Sequence, residues 1–207
     1  MNIIRQLALT ASFWGLALAA QAADITPLQE RWAQIHYQTP AKEQPKAYSL
    51  LAEQARQLTR ANPESAQAHI WQGIILSSWA GAEGGLGALG KAKEAKAELE
   101  QALSLEPEAL QGSAYTSLGV LYYQVPGWPI GFGDDDKAGE LLQKALALNP
   151  EGIDSNYFWA DYLIDQKRYA EARIALLKAQ AAPPRPGREL ADQGRQQEIR
   201  ALLNTLE

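Results

Sequence analysis

The sequence of 207 residues contains no cysteine, one methionine and two histidines. Without cysteine the chain can form no disulfide bond, no thiol nucleophile, no cysteine-ligated metal site and no acylated lipoprotein anchor. Its histidines, His36 and His69, have no partner at the spacing of a metal or catalytic motif such as H-E-x-x-H. These absences exclude several classes of enzyme, and they are compatible with an oxidising compartment.

The chain also lacks a basic cluster and, beyond its start, a long apolar run. It has 19 basic and 24 acidic residues, and no aromatic residues alternate with clustered lysine or arginine, so nucleic acid is not expected as a partner. The apolar run Leu7–Ala20 is shorter than the ~20 residues that span a bilayer. Arg5 comes before the run, and small residues stand at Ala20 and Ala22 where it ends. This pattern predicts a signal peptide over residues 1–22 that is cleaved after Ala22. The mature protein is then expected in the periplasm, without stable membrane insertion.

Prolines divide the remaining chain at regular intervals. Pro63, Pro107, Pro150 and Pro184 are 44, 43 and 34 residues apart, and Ala/Leu-rich stretches precede them. Because proline cannot continue a helix, this spacing predicts helical repeats that each end at a proline. Stacked helical hairpins present a groove and have no built-in chemistry, which favours a binding function.

The last unit, residues 153–184, shows the pattern most clearly. Small residues (Ala160, Ala172 and Ala179) alternate with bulky ones (Tyr169 and Leu176) at the positions where two antiparallel helices must touch. This pattern resembles the tetratricopeptide repeat, whose unit is 34 residues long. The resemblance implies an all-α fold: a right-handed superhelical array of antiparallel helical hairpins with a C-terminal capping helix.

The same register predicts the organisation of the whole chain. An atypical N-terminal helical pair is expected over residues 23–63, three repeats over 64–184, and a capping segment over 185–207. Two repeats are longer than the family's unit, and the extra residues are predicted to form loop insertions at 77–90, which is glycine-rich, and at 125–134, which is rich in proline and glycine. Beyond the superfamily, the segment 125–134 and Asn156-Tyr157-Phe158-Trp159 are similar to proteobacterial periplasmic repeat proteins, with a looser likeness to the T-component of TRAP-type transporters.

Two short patterns look like chemistry and have simpler explanations. Gly85–Gly90 fits G-x-G-x-x-G, but a dinucleotide site needs a preceding strand, and the residue after Lys91 is alanine instead of the Ser or Thr of a phosphate loop. Asp134–Asp136 lacks the ligand spread of a calcium loop and is placed to cap the helix that follows. We therefore expect no cofactor, no metal and no catalytic site.

The resemblance implies which residues of each first helix face the groove. The predicted partner-binding residues comprise those positions and two aromatic residues of the 125–134 segment: Gln67, Thr116, Tyr123, Trp128, Phe132, Tyr157 and Asp161. Trp128 and Phe132 either line the groove as a lid or fold back between hairpins as a packed plug. The two acidic groove positions, Asp154 and Asp161, make a peptide a better ligand than a strongly anionic molecule.

The sequence thus favours an exported, non-enzymatic adaptor that binds a protein or peptide in its concave groove. The alternative is a small-solute binding accessory of a periplasmic transport system, with Trp128 and Phe132 closing over the ligand. An open groove would support the adaptor, and a closed cavity under residues 125–134 would support solute binding.

Overall fold

A computed structural model describes residues 23–206. Over this range the fold consists of α-helices joined by short turns, with one 3-10 turn at Ala41–Glu43. The predicted signal peptide lies outside the described residues. The helices are α1 (Thr26–Gln38), α2 (Gln44–Ala61), α3 (Ala66–Glu83), α4 (Gly85–Leu105), α5 (Ala109–Gln124), α6 (Asp135–Leu148), α7 (Ile153–Asp165), α8 (Tyr169–Ala181) and α9 (Glu189–Thr205).

The helices pair as antiparallel hairpins: α1 with α2, α3 with α4, α5 with α6, and α7 with α8. Small residues lie where the paired backbones approach. A Cβ added to Gly73 would lie 2.6 Å from Cγ of Leu99, and one added to Gly119 would lie 2.7 Å from Cγ of Leu142. Ala172 of α8 is fully buried. The predicted size alternation is confirmed for Ala160, Ala172, Leu176 and Ala179, which are fully buried, and is wrong for Tyr169, which is 51% exposed. The hairpins stack into the predicted all-α superhelical array.

The predicted loop insertion at 77–90 is wrong. Helix α3 continues through Glu83 and α4 begins at Gly85, so the extra residues lengthen both helices. Gly84 and Gly85, with φ of 64° and 61°, make the turn between them. Because glycine adopts positive φ readily, two of the five glycines in this segment are enough to reverse the chain, and the others are accommodated within the helices.

The segment 125–134 lies between α5 and α6 and contains no helix. Its backbone is tied to itself and to α5: Gly133 N–H donates to the Pro126 carbonyl (3.0 Å), and Asp134 N–H donates to the Tyr122 carbonyl (2.8 Å). The Asp134 side chain accepts from Lys137 N–H at 3.0 Å, which confirms the predicted cap of α6.

Helix α9 contacts helices that lie far apart in sequence. It packs on α8, so it caps the last repeat, and it also contacts α1 and α7. A Cβ on Gly194 would collide with the ring of Tyr37, which shows how closely α9 approaches α1. The C-terminal helix therefore crosses the concave side of the array and joins its last repeat to its first helical pair. None of the helices described is long and apolar enough to cross a membrane.

Candidate ligand cavity

The concave side of the array contains a cavity of about 860 Å³. It is lined by the first helix of each hairpin (α1, α3, α5 and α7), by residues 183–188 and by α9. Its volume lies in the range of ~300–1,000 Å³ that is typical of ligand pockets. The groove of the array is present, and α9 narrows it into a chamber, whereas the closed cavity expected under residues 125–134 is not the one observed.

One wall of the cavity is aromatic. Trp32 and His36 of α1 are stacked, with ring centroids 4.8 Å apart, and Trp71 of α3 meets Trp32 edge to face at 6.1 Å. The Trp32 indole N–H donates to Ser78 Oγ at 2.8 Å, and His36 Nδ1 lies 3.0 Å from the Tyr48 hydroxyl. These bonds fix the rings in one orientation, so the wall is a preformed apolar surface.

An adjoining wall carries the charged side chains, and most of it comes from the C-terminal segment. The Arg195 guanidinium lies 4.1 Å from the ring centre of Tyr157 and 4.7 Å from that of Phe158. It donates to Asp154 Oδ1 at 2.9 Å and to Glu198 Oε2 at 2.6 Å. With a side chain only 7% exposed, Arg195 has exchanged water for two carboxylates and two aromatic rings.

Asp154 is the point where this wall joins α7. Its other oxygen accepts from Arg185 at 2.6 Å, so one carboxylate holds two guanidinium groups. Burial alone would raise the pKa of Asp154, but the charges of Arg195 and Arg185 outweigh burial and lower it well below the usual value. Burial raises the pKa of Tyr157 to about 12, although the charge of Arg195 opposes that rise.

This arrangement corrects one half of the expectation that Asp154 and Asp161 meet a ligand without compensation, because only Asp154 is paired with arginines. The prediction left Asp154 without compensation, whereas Arg185 and Arg195 neutralise it. Arg185 also pairs with Asp192 at 2.6 Å. The compensating charges come from the segment that follows the last repeat, outside the helices to which the repeat register applies.

Three of the predicted binding residues, Thr116, Tyr157 and Asp161, line the cavity together. Tyr123 stands behind Asp161 and donates to its carboxylate at 2.6 Å. Burial, followed by the charge of Asp161, raises the pKa of Tyr123, so its hydroxyl remains a donor. Gln67 does not line the cavity.

Trp128 and Phe132 do not line the cavity either, so the lid over the groove does not form. Phe132 packs edge to face on Tyr122, with ring centroids 5.5 Å apart, and joins the core that contains α3 and α4. Trp128 is 90% exposed and Ile130 is 68% exposed. The Phe132 ring is therefore packed in the core, and the Trp128 ring is exposed to solvent. Neither of the two sequence-based alternatives described this difference.

Sequence reasoning missed the residues that distinguish this cavity from a bare groove. Trp32, His36 and Trp71 fall outside the groove positions that the resemblance implies, and the arginines lie beyond the repeats. One signal was available: Pro183-Pro184-Arg185-Pro186 breaks the chain after α8 and allows it to turn back across the concave face.

Among the described residues no group of three or more histidines and carboxylates is placed to hold a metal ion. The sequence profile of the tetratricopeptide repeat family matches residues 86–108. A solved structure, TTC0263, a thermophilic tetratricopeptide protein of Thermus thermophilus, superimposes with a TM-score of 0.57 and 19% identity over 87% of this chain and 88% of that one. The chain carries a tetratricopeptide repeat and has the tetratricopeptide fold.

A second solved structure, that of MamA, is 17% identical over 80% of this chain and 90% of its own, and its TM-score of 0.46 adds nothing to that conclusion. A comparison with curated proteins found no match. The tetratricopeptide fold is generally a scaffold without enzymatic activity and typically binds proteins. The cavity between the first helices of its hairpins and α9 is therefore the candidate binding site.

Proposed function

We propose that this protein is a non-enzymatic interaction module that binds a short peptide segment of a partner protein in the cavity between α9 and the first helices of the hairpins. The observation that carries the proposal is the cavity itself, a preformed chamber on the concave face of a tetratricopeptide fold. Its charged residues Asp154, Arg195 and Glu198 are engaged with one another, which suits binding better than proton transfer.

The shape of the cavity favours a short segment. Because α9 contacts both α8 and α1, it takes up one wall of the groove, and a long partner helix cannot lie along the whole concave face. A few residues in extended conformation fit a chamber of about 860 Å³. Their apolar side chains would contact the aromatic wall, and the hydroxyls of Thr116 and Ser117 offer hydrogen bonds to the peptide backbone.

A small solute is the second candidate. It is favoured by the same contact between α9 and α1, since a joined first and last element encloses a ligand more completely than an open groove does. A small apolar molecule with a few polar groups would be held by the stacked Trp32 and His36 rings and by Trp71.

The two candidates are separated by offering both ligand classes to one protein. Residues 23–207 are immobilised and exposed in parallel to a library of defined short peptides and to a library of organic acids, amines and sugars, and retained compounds are identified by mass spectrometry. Retention of peptides with a shared sequence feature supports the interaction module. Retention of small molecules alone would contradict it and support solute binding.

We also propose that the protein is exported to the periplasm and loses residues 1–22. The support is the sequence alone: Arg5, the apolar run Leu7–Ala20 and the small residues at Ala20 and Ala22. Mass spectrometry of the protein recovered from the periplasm of a producing bacterium should give Ala23 as the first residue. Recovery from the cytoplasm with Met1 intact would contradict the proposal.

A further inference from the structure

Arg188 differs from the other two arginines that line the cavity. Arg185 pairs with Asp154 and Asp192, and Arg195 pairs with Asp154 and Glu198. The side chain of Arg188 makes no ion pair and donates no hydrogen bond to any of residues 23–206. It is only partly exposed, so it has given up hydration without gaining a carboxylate.

The charges around Arg188 favour a further anion. Burial lowers the pKa of Arg188, and the positive charge of Arg185 lowers it further. The carboxylates of Asp154 and Asp192 act in the opposite direction, but both are already bound by other guanidinium groups. Because an arginine stays protonated at neutral pH, Arg188 remains a cation next to a cation. A ligand carboxylate would relieve this repulsion.

The Arg188 side chain packs against the ring of Trp71. Its guanidinium lies 5.0 Å from the centre of the Trp71 ring. A guanidinium held against an aromatic face keeps its N–H groups directed outward from its edge, where they match the two oxygens of a carboxylate. The indole Nε1 of Trp71 is buried and has no acceptor among the described residues, whereas the partly exposed Arg188 side chain lines the cavity.

We propose that Arg188 binds the carboxylate of a ligand whose apolar part lies in the same cavity against Trp71, Ile74 and Val120. The inference rests on the proposed function, because it names the chemistry of the ligand that the cavity takes. The C-terminal segment places three arginines at the cavity, and its own carboxylates Asp192 and Glu198 pair with only two of them, Arg185 and Arg195.

The test uses two probes that differ only in charge, N-acetylphenylalanine and its amide. Their dissociation constants are measured by isothermal titration calorimetry in HEPES buffer without phosphate or acetate, with residues 23–207 as the wild type. The first variant is Arg188→Gln. Its control is Arg173→Gln, which removes the same charge from an exposed position of α8 outside the cavity. The indole ¹⁵N–¹H resonance of Trp71, assigned by Trp71→Phe, reports whether the probe reaches this site.

The wild type and Arg173→Gln should bind the carboxylate at least about tenfold more tightly than the amide, as expected for a charge-assisted pair. For Arg188→Gln the dissociation constants of the two probes should lie within about twofold of each other. Arg188→Lys should retain part of the preference, because lysine keeps the charge and loses the paired N–H groups that bind both oxygens of a carboxylate. The Trp71 resonance should shift with both probes, because the apolar part of each lies against Trp71, and the shift should saturate at a lower concentration of the carboxylate. Equal binding of the two probes by the wild type, no binding of either, or an unchanged preference in Arg188→Gln would overturn the proposal.

The outcomes separate this inference from the proposed function. In one outcome the protein retains no peptide but prefers the carboxylate probe in a way that depends on Arg188. This outcome supports carboxylate binding by Arg188 and rejects the peptide ligand in favour of an organic acid. In the other outcome peptides bind the wild type and Arg188→Gln equally, and the two probes bind equally. This outcome supports the interaction module and rejects carboxylate binding by Arg188. Circular dichroism and thermal melting of each variant establish that the compared proteins are folded.

Discussion

The carboxylate of Asp154 and the guanidinium of Arg195 are joined by a hydrogen bond of 2.9 Å, although 41 residues separate them in the chain. Asp154 is in the first turn of α7, and Arg195 is in the middle of α9. This bond fixes the C-terminal helix across the concave side of the repeats. The cavity exists in its observed form because this and the neighbouring ion pairs hold α9 in place.

Replacing Asp154 with asparagine should destabilise the protein by about 2 kcal/mol. A buried arginine that loses its carboxylate typically costs ~3–5 kcal/mol, and we expect less because Arg195 keeps Glu198 and the Asp154 side chain is 32% exposed. Urea denaturation followed by circular dichroism gives the free energy of unfolding. The control is Asp165→Asn, at an exposed position of the same helix, which should change it by less than ~0.5 kcal/mol. Equal stability of the two variants would show that the bond does not hold α9.

The contribution of Asp154 should disappear in acid. Its pKa in the folded protein lies below the ordinary value of 3.8, so the unfolded chain binds the proton more readily. The stabilisation is complete well above pH 3.8 and is lost as the pH falls from that value toward the folded pKa. We expect the difference in unfolding free energy between wild type and Asp154→Asn to shrink by up to ~1.4 kcal/mol per pH unit below about pH 4. Denaturation curves at pH 7, 4 and 3 test this, and a constant difference would contradict it.

Two glycine-to-alanine substitutions should have opposite effects. Gly90→Ala, in α4, adds a methyl group where no atom lies within 4 Å, and it should stabilise the protein by ~0.5–1 kcal/mol because alanine favours the helix. Gly194→Ala, in α9, adds the same group against the Tyr37 ring. We expect it to be less stable than Gly90→Ala by ~1–3 kcal/mol, the usual range for overpacking. Thermal and urea denaturation measure both, and equal gains would show that α9 does not pack closely on α1.

The aromatic residues of the 125–134 segment should behave differently from each other. Phe132→Ala removes a ring that packs on Tyr122, and we expect a loss of ~1–2 kcal/mol, less than for a fully buried phenylalanine. Trp128→Ala removes a ring that is 90% exposed, and it should change stability by less than ~0.5 kcal/mol. Neither change should alter the affinity for a ligand of the cavity. A loss of affinity in Trp128→Ala with unchanged stability would restore the lid predicted from the sequence.

The parts of the fold that could be predicted are those set by neighbouring residues. The size alternation at Ala172 and Leu176 reports a contact within one hairpin, and the cap at Asp134 acts three residues along the chain. Both predictions are confirmed. The glycine-rich stretch at 77–90 was misassigned because glycine permits a turn without requiring one: packing between α3 and α4 keeps most of it helical.

The candidate site could be predicted only in part. Thr116, Tyr157 and Asp161 line the cavity because the repeat register determines which face of each first helix is concave. The arginines were missed because their position depends on the path of α9, which is set by ion pairs and packing across more than 30 residues of chain. No local pattern specifies that path, so the charge of the cavity could not be read from the sequence.

The central claim is that the cavity between α9 and the first helices of the hairpins is the binding site. The most direct test is the dissociation constant of a peptide selected on the wild type, measured for Val120→Trp and for Gln143→Trp. Val120 lines the cavity, so the indole would fill the space that the peptide needs, whereas Gln143 is exposed on α6 away from it. We predict at least about a tenfold loss of affinity for Val120→Trp, consistent with the ~1–3 kcal/mol cost of overpacking, and none for Gln143→Trp. Equal affinity of the two folded variants would contradict the account.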